Sequence, residues 1–331
     1  MAQGIESGGS MTPEQASWFA QTFDQLVGSI SQAVLGKTQI IRLALTCMLA
    51  EGHLLLEDAP GTGKTSLARA MAATVYGTDQ RIQFTPDLLP SDVTGVTIFD
   101  QATQAFEFRP GPIFASIVLA DEINRASPKT QSALLEVMEE GQVTVDGVTH
   151  KVERPFMVIA TQNPIEQAGT YRLPEAQLDR FLMKSAIGYP DRSNTVAILA
   201  GAQIRNRAAA ITPVITTQAV GDMIDIGATN HAEPMVLDYI SRLTEETRTV
   251  AETRVGVSVR GAIAMVRTAK VWAAAQGRNY VIPDDVKSLG VPVWSHRLVL
   301  DPEAEFAGVS APQVVGRLLA EVPAPQERAY A

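Results

Sequence analysis

HLLLEDAPGTGKTSLARAMA, residues 53–72, runs from an apolar segment through a glycine-rich turn into a helix-forming stretch. Gly61 and Gly63 permit positive backbone angles and close approach of the main chain to a ligand. A turn of this kind aims several N–H groups, together with the start of the next helix, at one point. That arrangement suits a phosphate. Lys64 would bring positive charge to the terminal phosphates, and the Thr65 hydroxyl can ligate magnesium. The binding candidates are therefore Ala59, Pro60, Gly61, Thr62, Gly63, Lys64, Thr65 and Ser66. The strict pattern wants glycine where Asp58 stands, so the loop is a variant. The alternative is a helix merely entered through a turn, but strand, GKT and helix stand here in the order a phosphate loop needs.

Four further apolar segments lie at 81–85, 116–122, 156–162 and 182–189. Continuous apolar runs of this length suit strands buried on both faces. Their alternation with helical patterns predicts an α/β fold, a parallel sheet sandwiched between helices. Residues 127–141 read as a helix, with Ser127 as N-cap, Pro128 at the first turn and Gly141 as its stop. QVTVDGVTHKV, 142–152, alternates about Asp146-Gly147 and reads as a hairpin. A weaker hairpin is expected from VTGVTIFD and QAFEFR, before Pro110. Beyond Pro190 the pattern becomes helical, over 191–207, 234–250, 260–277 and from Pro283. The expected organisation is a disordered tail over 1–15, a nucleotide-binding core over 16–189, and a linker with a small helical domain over 190–331.

IVLADE ends a buried strand with two acids. Asp121 can hold the metal, directly or through water. Glu122 can act as general base on a water. Two solvated acids at a strand end would be the plain alternative. ATQNP ends the next strand, and Asn163 either forms a turn or orients the attacking water; spacing does not separate the two. LPEAQLDRF, 173–181, carries Arg180, which either pairs with Asp179 or Glu175 or awaits a phosphate.

The whole chain sets bounds. It has 331 residues, 46% of them hydrophobic, and a net charge of -9. The absence of basic clusters argues against nonspecific binding to a polyanion. No run of about 18 apolar residues is present, so no membrane span is expected. No secretory leader is expected from MAQGIESGGSMTPEQ. The single Cys47 lies in the apolar run IIRLALTCMLA and reads as a core thiol. A cytoplasmic protein is expected. The four histidines show no metal-ligand spacing.

These pieces together resemble the AAA+ ATPases, and more narrowly the MoxR family of the helix-2-insert clade. EDAPGTGKTSLARAMA, ADEINRASPKTQSALLEVMEEGQVTVDG, ATQNPIEQAGTYRLPEAQLDRF and GRNYVIPDDV carry the resemblance, which covers the chain from about residue 25. It implies an AAA+ core followed by a helical lid. It also implies ATP and Mg2+ as cofactors. By position, Lys64 and Thr65 match Walker A, Asp121 and Glu122 match Walker B, and Asn163 matches sensor 1. Arg260 matches sensor 2, although Val259 stands where the family usually has proline. Gly36 of AVLGK matches the segment near the adenine. The two hairpins resemble the clade's inserts.

Arg180 resembles an arginine finger that reaches a neighbouring subunit's nucleotide, which implies a ring, usually a hexamer. Arg125 and Lys129 are further candidates to face that neighbour. The resemblance also implies a chaperone-like role toward client proteins. A partner carrying a von Willebrand A domain, and maturation of enzymes or metal centres, are part of that implication. The competing readings are a nucleic-acid motor, which the acidic balance disfavours, and a nucleotide-regulated scaffold with little turnover.

Overall fold

The computed structural model describes residues 9–59, 61–163, 170–201 and 206–325. Pro60 is therefore outside the described residues. The chain forms two compact units, Gln25–Gly221 and the combination of Met1–Asp24 with Asp222–Ala331.

Chain order begins with α1 (Pro13–Ser31), α2 (Thr38–Leu49), β1 (Leu54–Glu57), α3 (Lys64–Thr74), β2 (Asp79–Gln83) and α4 (Pro90–Thr94). It continues with β3 (Gly95–Asp100), β4 (Ala105–Pro110), β5 (Ile117–Asp121), α5 (Pro128–Glu140), β6 (Gln142–Val145) and β7 (Val148–Lys151). The first unit closes with β8 (Met157–Gln162), α6 (Glu175–Leu178), β9 (Met183–Ser185), α7 (Arg192–Ala200) and part of α8 (Thr217–Ala228).

All five expected strands form, and they make one parallel sheet in the order β2-β5-β8-β1-β9. β5 and β8 are buried along almost their whole length, as strands covered on both faces must be. β2 lies at the edge and buries only Ile82. One face of the sheet packs Leu55, Val118 and Val158 against Leu134, Leu135 and Met138 of α5, with Phe84 and Phe181 closing the cluster. Buried His53 ties the two layers together. Its Nδ1 accepts from the Val158 amide at 3.0 Å. The ring proton therefore sits on Nε2, which donates to the Met138 carbonyl at 2.9 Å. Cys47 is buried, as expected.

α5 has the caps read from its sequence. The Ser127 hydroxyl accepts from the Thr130 amide and Gly141 turns left-handed at φ 62°. Asp146 and Gly147 both take positive φ between β6 and β7, the conformation of a tight hairpin turn. β3 and β4 pair antiparallel as the other hairpin. The strands end at β9, but the compact unit runs on to Gly221. The Val214 amide donates to the Thr74 carbonyl of α3 at 2.8 Å, which holds this later segment to the sheet layer.

The second unit contains α9 (Pro234–Thr249), β10 (Thr253–Val255), α10 (Val259–Ala274), α11 (Pro283–Trp294), β11 (Val299–Leu300), α12 (Pro302–Phe306) and α13 (Ala311–Glu321). Its described elements are helical apart from the short antiparallel β10–β11 ribbon. The Trp294 indole donates to the Gly261 carbonyl at 3.0 Å, joining α11 to α10. The tail expected over 1–15 is not a tail from Met11 onward. Met11 is buried and its amide donates to Thr229. Thr12 and Gln15 then exchange side-chain-to-amide bonds of 2.9 and 3.2 Å, a capping box that starts α1 at Pro13. Among the described residues no helix is long and apolar enough to cross a membrane.

Candidate active site

The carboxyl ends of the parallel strands bring the candidate residues to one edge of the sheet. Glu57 pairs with Gln162, and Gln83 pairs with Asp121. The loop after β1, the acids ending β5 and Asn163 just past β8 therefore share that edge. Open α/β sheets bind ligands there. The Asp58 amide donates to the Gln162 carbonyl at 3.3 Å, so the loop leaves β1 alongside β8. Asn163 is 8% exposed.

The loop has the shape its glycines allow. Gly61 sits at φ 82° and Gly63 at φ 101°, directly before α3. A Cβ built at either one meets nothing within 4 Å. The glycines are thus required by backbone conformation, and the space on their open side is free for a ligand. Lys64 Nζ lies 3.3 Å from the Asp58 carbonyl and 3.4 Å from that of Ala59. Thr62 Oγ1 donates to the same Ala59 carbonyl.

A cavity of about 300 Å³ opens beside the loop. Its lining combines Gly61, Thr62, Gly63, Thr65 and Ser66 of the loop with Leu35, Lys37, Pro190, Ile198 and Arg207. Gly36 takes φ 70°, and the position of its missing Cβ is filled by the Asn194 side chain, whose amide nitrogen lies 2.2 Å from it. Close approach at Gly36 is made here by that side chain. Asn194 is fixed by Asp191, the N-cap of α7. The Asn194 amide, with the Ser193 hydroxyl and the Asn194 side chain, holds the Asp191 carboxyl below the usual aspartate range.

Both acids are engaged. Asp121 Oδ1 accepts from Thr161 Oγ1 at 2.6 Å, and Oδ2 accepts from Arg81 Nη2 at 2.6 Å and Nε at 3.2 Å. Glu122 Oε2 accepts from Gln83 at 2.9 Å and from Arg125 Nη1 at 3.0 Å. Glu122 itself takes φ 56°, and its amide donates to Thr161 Oγ1. A left-handed turn at a non-glycine residue is uncommon and costs energy. Here it falls directly after β5 ends at Asp121.

Arg125, one of the candidates for a neighbour's surface, is thus paired within the chain to Glu122. Arg180 does not line the cavity; its Nε pairs with Glu139 of α5 at 3.1 Å. Arg260 lies in the first turn of α10, in the other unit, after the N-cap Ser258.

Arg81, Gln83, Thr161 and Asn194 were not among the residues picked from sequence. Arg81 and Gln83 did carry a signal. They stand two apart on one strand, and so on one face.

A phosphate cradle with an acid pair on the same sheet edge defines a phosphate-loop nucleotide-binding protein. The chain matches the family model for the ATPase family associated with various cellular activities over residues 53–183, and that for the AAA lid domain over 245–318. It is 47% identical over 302 residues to YeaC of Bacillus subtilis, covering 91% of this chain and 94% of that one. It is 38% identical to Chaperone MoxR1 of Mycobacterium tuberculosis, covering 93% of this chain and 84% of that one. A crystal structure of a candidate ATPase from Cytophaga hutchinsonii superposes with a TM-score of 0.89 at 35% identity, covering 95% of this chain and 98% of the other. The chain belongs to the MoxR family of AAA+ ATPases.

Proposed function

We propose that the chain hydrolyses ATP with magnesium, as a ring-forming motor acting chaperone-like on client proteins. The observation that carries this is the meeting of the glycine loop and the Asp121–Glu122 pair at one sheet edge. The residues fit a magnesium ion. The cradle is open, and the Thr65 hydroxyl and Asp121 carboxylate are the hard oxygen donors this ion takes. When bound it would supply charge neutralisation on the terminal phosphates.

The chain's own residues do the rest. The amides around Gly61–Ser66 and the Lys64 ammonium bind the phosphates. The Glu122 carboxylate takes the proton of the attacking water. Asn163 orients that water. Arg180, released from Glu139, stabilises the developing charge on a neighbour's phosphate. Such a finger supplies about 10³ to 10⁵ in rate. An exposed ion pair holds with only about 0.2–1 kcal/mol, so Glu139 does not trap Arg180. Arg260, matched to sensor 2, is the remaining catalytic candidate. The chaperone name of the Mycobacterium relative supports the client reading. A von Willebrand A domain partner, and a place in enzyme or metal-centre maturation, complete the proposal.

The nucleotide-regulated scaffold keeps one observation in its favour: both acids are already ion-paired. The Glu122→Gln variant decides between the two. A motor loses about 10² to 10⁴ in turnover, as expected for removal of a general base, while still binding ATP by calorimetry. A turnover equal to wild type would leave the scaffold reading standing alone.

A further inference from the structure

Asp58 breaks the strict phosphate-loop pattern. It occupies the glycine position, and it is only 7% exposed. Its main chain belongs to the loop, since its carbonyl lies 3.3 Å from Lys64 Nζ. Its side chain points elsewhere. The carboxylate accepts from the amide of Ile187, and from that of Gly188 at 3.1 and 3.2 Å. From the other side Lys37 Nζ donates to the carbonyls of Ile187 at 2.7 Å and Tyr189 at 2.8 Å. Two opposite charges thus clamp the backbone groups of three consecutive residues, with Gly188 left-handed at φ 66° in the middle. Hydrogen bonds to ionised groups are the strong ones. They fix this turn.

The turn leads straight into the cavity wall. Pro190 is the next residue and lines the same cavity as the loop. Asp191 then caps α7, Asn194 packs on Gly36, and Ile198 lines the same wall. Lys37 lines the cavity too. The clamp therefore sets part of the cavity lining that lies outside the phosphate cradle. The cradle itself is made of Gly61–Ser66 backbone, which does not need the Asp58 carboxylate.

We infer that Asp58 is a positioning residue for the nucleoside half of the nucleotide. Through the 187–190 turn it places the wall that the base and sugar meet, leaving phosphate capture to the loop. A glycine here would complete the strict pattern but release the wall. This rests on the reading of the cavity as the ATP site, and the experiment separates the two failures.

The probes are ATP, ADP and inorganic triphosphate, each titrated by calorimetry into wild type, Asp58→Gly and Asp58→Asn. Circular dichroism checks each fold. For Asp58→Gly, affinity for ATP and ADP is expected to fall about tenfold or more, the size of losing hydrogen bonds to a charged group. Inorganic triphosphate should stay within about twofold, because no bond to the cradle is lost. Asp58→Asn keeps one acceptor oxygen and should fall between. It carries the test alone if the glycine variant does not fold. Unchanged ATP affinity in the folded variants overturns the inference. So does an equal loss for ATP and triphosphate, which would put the effect in the cradle or the fold. If wild type binds triphosphate but gains nothing from the nucleoside, the wall has no such role. If wild type binds none of the probes, the ATP-site reading fails and takes this inference with it.

Discussion

Asp285 shows how much one buried charge can weigh in the helical unit. It is 2% exposed, and both of its oxygens are held by Arg278, at 2.6 and 2.8 Å. Its Oδ2 also accepts the Ile282 amide at the start of α11. Asp285 lies buried and charged at that helix start, and Arg278 is its ion-pair partner. Arg278→Met is therefore expected to destabilise this unit by about 3–5 kcal/mol, the cost of stranding a buried charge. The Arg317–Glu252 pair is more exposed, at 42% and 26%, and Arg317→Met should change little. Urea unfolding of the full-length variants measures both, and equal midpoints would contradict the ranking. Asp191 gives a second residue-scale expectation. Its folded pKa is lowered, so its contribution is present above the ordinary aspartate range and lost as pH falls through the folded value. The Asn194 amide shift, followed by NMR, should titrate below the ordinary aspartate range; a midpoint within or above that range would remove the cap from the account. The partners of Asp58 and Asp121 were not legible in the chain. The bonds of Asp58 to residues 187–188 and of Arg81 to Asp121 join positions far apart in sequence. They depend on parallel register, which no local pattern encodes.

Elements were legible where one side met water. α5 was bounded almost to the residue by Ser127, Pro128 and Gly141, because caps are local chemistry. α2 was read only as an apolar run. Nine of its 12 residues are buried, so it shows no polar face for a period to reveal. β2 was expected over 81–85 and forms over Asp79–Gln83, since the buried Phe84 lies just beyond a mostly exposed edge strand. The β3–β4 hairpin depends on two glycines. A Cβ on Gly95 would stand 2.3 Å from the Arg109 carbonyl oxygen, and one on Gly111 2.3 Å from that of Val93. The contacts are backbone, which cannot step aside, and Gly95 also sits at φ 99°. Gly95→Ala is expected to cost about 1–3 kcal/mol from conformation alone, and to open the hairpin to limited proteolysis. Gly147→Ala at the other hairpin's tip has open space around it and should leave the β3–β4 hairpin as protected as wild type. A protected hairpin in Gly95→Ala would show that the close crossing is not needed.

At the scale of the whole chain the fold class, the family and the cradle were legible together, because each rests on motifs that stand contiguous in the sequence. The assembly leaves no such trace in one chain. What the single chain holds is Arg180 on Glu139, both about one-third exposed and neither lining the cavity. If the ring account holds, that guanidinium serves the next subunit's nucleotide. The direct test is the ATPase rate per chain against protein concentration, with native mass recorded at each point, for wild type and Arg180→Ala. The expected result is a wild-type rate that climbs as assemblies form. The variant should still assemble and bind ATP, but turn over about 10³-fold or more slowly. Mixing it with Lys64→Ala chains, which still carry Arg180, should restore part of the rate. A flat rate per chain, with Arg180→Ala as active as wild type, would contradict the account: hydrolysis would be complete within one chain, and Arg180 would be only the surface partner of Glu139.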